Sequence, residues 1–186
     1  ASLWNIAIAE GIVTPMTYYY LGWCLHQGGL PGVKQAFDDA VKACPDYCFP
    51  NRLEAILALQ CAMEQNPNDA RAPYYLGNLY YDKRQYDLSM EAWETSARLD
   101  DSFPTVWRNL ALAFFNKKNE EAKAIECMER AFRLDSTDAR ILMELDQLYK
   151  RVRRSHKERL AFLQQYPDLI KQRDDLILEE ITLLNQ

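Results

Sequence analysis

Residues 72–81, APYYLGNLYY, decide the fold. Leu76, Gly77 and Tyr80 fall at the spacing of one helix face, and a second such series follows at Tyr86, Ser89, Trp93, Ser96 and Leu99. Between the two series lies the polar tetrapeptide DKRQ, a turn signal. Setting Pro104 onward beneath Ala70 onward brings Trp107, Leu110, Ala111 and Phe114, then Ala124, Met128, Ala131 and Leu134, onto matching places, with NKKNE at the turn. Leu76 to Leu110 is 34 positions and Leu110 to Leu145 is 35; Leu142, Leu145 and Tyr149 continue the series. Two amphipathic helices joined by a short turn, recurring at a fixed interval, predict a chain of stacked helix hairpins.

Composition agrees. Hydrophobic residues make up 48% of 186, enough for a sizeable core. There are only 6 glycines, good helix formers dominate and β-branched runs are missing, so the chain reads as all-α. Twenty-two Lys plus Arg against 27 Asp plus Glu leave a net charge of −5, which excludes a wholesale basic surface for wrapping nucleic acid. No run approaches the roughly 18 apolar residues that span a bilayer, and no export signal is visible, so a cytoplasmic protein with no membrane partner is expected.

The 34-residue hairpin and its small residues resemble the tetratricopeptide repeat. Gly22, Gly77 and Ala111 fill the small position after the central leucine of helix A; Ser89 and Ser96, and Ala124 and Ala131, fill the alanine-like positions of helix B. Asp101 and Ser136 stand where the closing proline is usual, and Asp146 replaces the small residue in the unit starting near Ala139, which marks that unit as divergent. The resemblance implies a right-handed superhelical α–α solenoid of about 10 to 11 helices.

Working outward gives a half repeat at 1–12, a repeat at 15–45, an irregular extra helix within 46–67, repeats at 70–103 and 104–137, a divergent repeat at 138–167 and a half repeat at 168–186. The first full unit pairs a helix at Pro15–Gly29 with one at Leu30–Ala43; PDYCFPN then interrupts, and a further helix runs from Arg52 to Gln65. Both ends read as cut through a repeat, and Leu176, Ile177, Ile181 and Leu184 lack an evident polar cap. A piece of a longer protein, with self-association through uncapped ends, is therefore expected. DYCFPNRLEAILALQ and NPNDARAPYYLGNLYYDKRQY are also similar to the repeat region of large, poorly characterised bacterial multidomain proteins.

In the tetratricopeptide family the second, fifth, ninth and twelfth residues of each unit face the inner groove. Here these are Met16, Tyr19, Trp23 and His26; Arg71, Tyr74, Asn78 and Tyr81; Thr105, Arg108, Leu112 and Phe115; and Arg140, Met143, Gln147 and Lys150. The resemblance implies a partner-binding surface of Tyr19, Trp23, Arg71, Tyr74, Asn78, Tyr81, Arg108, Asn109, Phe115 and Arg140, rich in the residue types that dominate binding hot spots. The clamp that some family members use for a chaperone's C-terminal carboxylate is met at Asn78, Asn109 and Arg140, but Tyr74 and Glu144 stand at its remaining positions. An acid there repels such a ligand. The run KRVRRSHKER forms a candidate basic patch at Lys150, Arg151, Arg153 and Arg154, at a turn between helices.

No catalytic, cofactor or metal site is expected. Cys24, Cys44, Cys48, Cys61 and Cys127 are an odd number and read as reduced thiols. Cys24 and His26 with Cys44 and Cys48 supply the four ligands of a zinc site, but neither spacing matches a zinc motif, so small apolar roles are expected. Acids such as Asp38, Asp39, Glu179 and Glu180 are adjacent pairs that point apart on a helix, and there is no nucleophile, phosphate loop or base at a working spacing. The reading that follows is a non-enzymatic scaffold binding a peptide segment or neighbouring domain in its concave groove. The alternative is a rigid spacer or oligomerisation surface of a larger protein.

Overall fold

The computed structural model describes residues 2–11, 13–45 and 48–185. Every regular element among them is helical. The chain divides into two compact units, Ala1–Asp101 and Ser102–Gln186. The first contains α1 (Ser2–Ala9), α2 (Pro15–Gln27), α3 (Val33–Lys42), α4 (Glu54–Gln65), α5 (Arg71–Asp82) and α6 (Tyr86–Leu99). The second contains α7 (Pro104–Ala113), a π turn at Phe114–Lys118, α8 (Glu121–Leu134), α9 (Ala139–Arg151), α10 (His156–Leu163), α11 (Pro167–Ile170) and α12 (Asp174–Leu184). Helices α2 and α3, α5 and α6, and α7 and α8 form the closest hairpins, and α9 packs on α10. The extra helix α4 lies against both α2 and α5.

Local chemistry starts these helices where they start. Thr14 and Thr17 form a reciprocal capping box ahead of Pro15, and Ser155 and Glu158 do the same for α10. Asp138 accepts from the backbone N–H of Arg140 and Ile141 at the head of α9. Helix α3 begins at Val33 rather than Leu30 because Gly32 preceding it sits at φ +97°.

The hairpin turns share one geometry. Gly29, Arg84 and Arg153 each lie seven residues after Gly22, Gly77 and Asp146, and all three have φ near +60°. In each, the next amide reaches back five residues to a helix carbonyl: Leu30 to Leu25, Gln85 to Tyr80, Arg154 to Tyr149. This is the left-handed cap that closes a helix by satisfying its last carbonyls. In the third hairpin the π turn inserts one residue, so the left-handed position falls on Asn119 and Glu120 reaches back six residues to Phe114. Arginine at a left-handed position carries no glycine signal, so sequence reading locates the turns and misses their geometry.

The packing inside each hairpin turns on the eighth residue of its unit. A Cβ on Gly22 would overlap the Phe37 ring of α3, and one on Gly77 would overlap the Trp93 indole of α6. Both partner rings are buried, Phe37 completely. In the next hairpin, one residue longer at its π turn, Ala111 and Met128 hold the corresponding places, and both are fully buried. Ser89 and Ser96 fill the alanine-like sites of α6 and donate to the carbonyls of Gly77 and Ala70 at 2.9 and 2.7 Å, bonding one helix to the other.

The divergent hairpin solves the same position with charge. Asp146 is buried and accepts from Arg159 Nε at 3.0 Å and Nη2 at 2.5 Å; the Arg159 side chain is itself 2% exposed. Arg159 also donates to Glu179 of α12 at 2.6 Å, which Lys150 meets at 2.8 Å. Burial pushes the Asp146 carboxyl up against the pull of Arg159. Burial raises Glu179 as well, but hydrogen bonds from Lys150 and Arg159 outweigh it and hold that carboxyl below its usual range. The expected bare apolar face of α12 is thus half covered: Leu176 and Leu183 are buried, while Leu178, Ile181 and Leu184 are exposed.

Gly→Ala in an exposed helix gains about 1 kcal/mol, yet Gly22→Ala and Gly77→Ala should lose about 1–3 kcal/mol from overpacking against Phe37 and Trp93. Chemical denaturation measures this, and Phe37→Leu in the Gly22→Ala background should recover more than the two single changes add up to. Asp146→Ala should cost about 3–5 kcal/mol by stranding Arg159, and Asp146→Leu with Arg159→Met far less.

Candidate functional site

In the first unit the residues expected to line a groove divide by burial. Tyr19 is fully buried, which corrects its assignment to a binding surface. Its hydroxyl donates to Asp69 Oδ2 at 2.8 Å, and its ring lies 6.4 Å from Phe37 and 6.0 Å from Tyr75. Asp69 in turn accepts from the amides of Arg71 and Ala72 at 2.8 and 3.2 Å, so one carboxylate starts α5 and ties it to α2. Burial pushes the Asp69 carboxyl up, against the hydrogen bond from Tyr19. Arg71 spends its Nη1 on the Ala43 carbonyl at 2.9 Å, joining α5 to the end of α3. Asn78 accepts from Trp93 Nε1 at 3.0 Å, and Tyr81 packs on Tyr86 and Trp93. Tyr74 is half-buried beside Tyr75, which is sealed in the core. Trp23 is half-buried next to Trp4 and Tyr20, two aromatics that the groove positions do not include.

In the second unit Arg108 and Glu144 form a forked pair, with Nε to Oε2 at 2.6 Å, and both side chains are only about 15% exposed. Arg140 adds a second cation at 3.2 Å, and Asn109 Oδ1 accepts from Arg108 Nη1 at 3.4 Å. The acid that would repel a ligand's carboxylate is therefore neutralised from within, and Arg108 is tied to α9. Phe115 lies under the Arg151 guanidinium, 5.3 Å from ring centroid to Cζ.

These residues frame an open groove of about 200 Å³ between the α7 end, the π turn and α9, lined by Leu112, Phe115, Asn116, Met143, Glu144, Gln147, Leu148 and Arg151. Leu112, Phe115, Met143 and Gln147 are inner positions of two successive units; Asn116, Glu144 and Leu148 are not on that spacing. Asn116 enters because the π turn widens the end of helix A.

The basic run does not act as one patch. Lys150 pairs with Glu179 of α12, and Arg154 pairs with Glu129 of α8 while covering the Tyr149 ring at 3.7 Å. Arg153 occupies the left-handed turn, and Arg159 is buried. Arg151 alone of the four faces the groove.

Of the thiols, Cys48, Cys61 and Cys127 are buried as small apolar residues, whereas Cys24 is half-buried and Cys44 exposed, contrary to expectation for the last two. Burial pushes the Cys48 and Cys61 thiols up, away from the nucleophilic thiolate. Among the described residues no group of three or more His, Cys, Asp or Glu side chains is placed to hold a metal ion. Among the described residues no helix is long and apolar enough to cross a membrane.

No family model matches the chain. Several solved structures share its architecture. The MamA protein superposes with a TM-score of 0.59 at 17% identity, over 92% of this chain and 81% of its own. YrrB, described as a TPR protein with an unusual peptide-binding site, gives 0.58 at 16% identity over 97% and 81%. The Arabidopsis OM64 TPR domain gives 0.51 at 18% identity over 61% and 93%. The helix hairpins of this chain have the all-α solenoid fold of tetratricopeptide-repeat proteins.

Proposed function

We propose that this chain is a non-enzymatic scaffold that holds a peptide segment of a partner protein, and that the groove of the second unit is where it does so. One observation carries the reading: an open trough with an apolar floor of Leu112, Phe115, Met143 and Leu148, side-chain amides at Asn116 and Gln147, and Arg151 at the rim. Apolar floor residues supply affinity by burial, and amides matched to a peptide backbone supply direction. Glu144 is neutralised by two arginines, whereas Arg151 makes no ion pair among the described residues, so the trough favours a segment with an apolar anchor and a nearby carboxylate. That a neighbour of the same fold is described as having a peptide-binding site supports the reading.

Peptides selected from a random library against the full chain should combine a large apolar residue with Asp or Glu. Phe115→Ala should weaken them by at least about tenfold, and Arg151→Glu should act on the acidic ones alone. Peptides that bind Leu112→Arg and Phe115→Ala as well as the parent chain would refute the groove.

A second reading, self-association, rests on the exposed row Leu178, Ile181 and Leu184 of α12. Sedimentation at rising concentration tests it: a dimer that Leu178→Glu with Ile181→Glu abolishes supports it, and a monomer throughout excludes it.

A further inference from the structure

A second cavity lies in the first unit. Trp4 of α1, Tyr20 and Trp23 of α2, and Arg52 and Glu54 at the head of α4 enclose an open slot of about 410 Å³, the size of a site for a small ligand or a few side chains. The rings of Trp4 and Tyr20 are stacked, with centroids 4.9 Å apart and planes within 7°. All three aromatics are half-buried, so each keeps part of its ring at the surface. Among the described residues none gives a hydrogen-bond partner to either indole N–H, to the Tyr20 hydroxyl or to the Arg52 guanidinium. Helix α1, which carries Trp4, has no buried residue of its own.

The chemistry of this lining selects its ligand. It offers flat apolar faces and a surplus of donors: two indoles, a phenol and a guanidinium, against one carboxylate. Arg52 and Glu54 leave it without net charge. A quaternary ammonium ion would find ring faces but also the Arg52 cation. A saccharide's hydroxyls could accept from these donors, but each also brings a donor of its own, for which Glu54 is the one charged acceptor in the lining. A polyproline helix fits both requirements. Proline has no N–H, its carbonyls have no internal partners, and its ring is rigid and apolar.

We propose that the Trp4–Tyr20–Trp23 slot binds a proline-rich segment of a partner protein in the polyproline II conformation. Proline rings lie against the indoles, backbone carbonyls accept from the indole N–H groups, the Tyr20 hydroxyl and Arg52, and a basic residue flanking the prolines meets Glu54. The binding mode is that of an aromatic groove reading a preformed helix with little entropy left to lose. The slot and the trough beside Phe115 lie in different units, so either can fail without the other.

The test is titration of the full chain with a decaproline peptide, followed by the nitrogen-15 signals of the tryptophan indoles. Those of Trp4 and Trp23 should shift, while Trp93, bonded to Asn78, should stay. Trp23→Ala should weaken binding at least about tenfold with helix content and melting temperature preserved, and Tyr20→Phe should weaken it to a lesser degree. Unmoved Trp4 and Trp23 signals at millimolar peptide would overturn the proposal. So would equal or tighter binding of a glycine–serine peptide of the same length, of cellohexaose or of tetramethylammonium. If Trp23→Ala does not fold, Tyr20→Phe decides, and full affinity in that variant overturns the proposal.

Discussion

Everything in these hairpins depends on how close helix A comes to helix B at one residue. Where that residue is glycine, the partner helix inserts a whole aromatic ring into the space a methyl would occupy. The gain is dispersion and burial over a large ring, and the loss is the conformational entropy that glycine gives up in a helix. The balance favours the ring because Phe37 and Trp93 also hold other parts of the first unit: Phe37 touches Tyr19, and Trp93 bonds Asn78 and packs on Tyr81.

The divergent hairpin shows that close approach is not the only solution. Asp146 and Arg159 replace ring and glycine with a buried forked ion pair, extended by Glu179 and Lys150 to α12. Such a pair is a weak source of net stability, since desolvation offsets attraction. Its effect is directional. An apolar contact tolerates sliding, whereas two parallel hydrogen bonds fix one register between α9 and α10, and the third acceptor fixes α12 to the same guanidinium.

Much of this was legible from spacing alone. The 3.6-residue series around Leu76 and Leu110 predicted the hairpins, and the small residues at Gly22, Gly77 and Ala111 marked where helices meet. Two kinds of feature were not legible. Tyr19 sits at a groove position by count, yet Asp69, fifty residues away, draws its hydroxyl inward, and no local pattern announces a partner at that distance. Charge is illegible for a related reason: KRVRRSHKER looks like one patch, but helical geometry sends Lys150, Arg154 and Arg159 to acids on α12, α8 and α9, and one turn residue to a left-handed bend. The slot at Trp4 and Tyr20 brings together three helices, and spacing within any one of them carries no trace of it.

The different occupants of the eighth position also restrict how this chain can change through duplication and recombination. A helix carrying Gly77 is matched to one carrying Trp93, and a helix carrying Asp146 to one carrying Arg159. Exchanging a single helix between hairpins would set a glycine hollow against an arginine, or a carboxylate against an indole, leaving a void or an unanswered charge. The heritable module is therefore the pair, and new units can enter this array only as complete hairpins whose two halves were selected together.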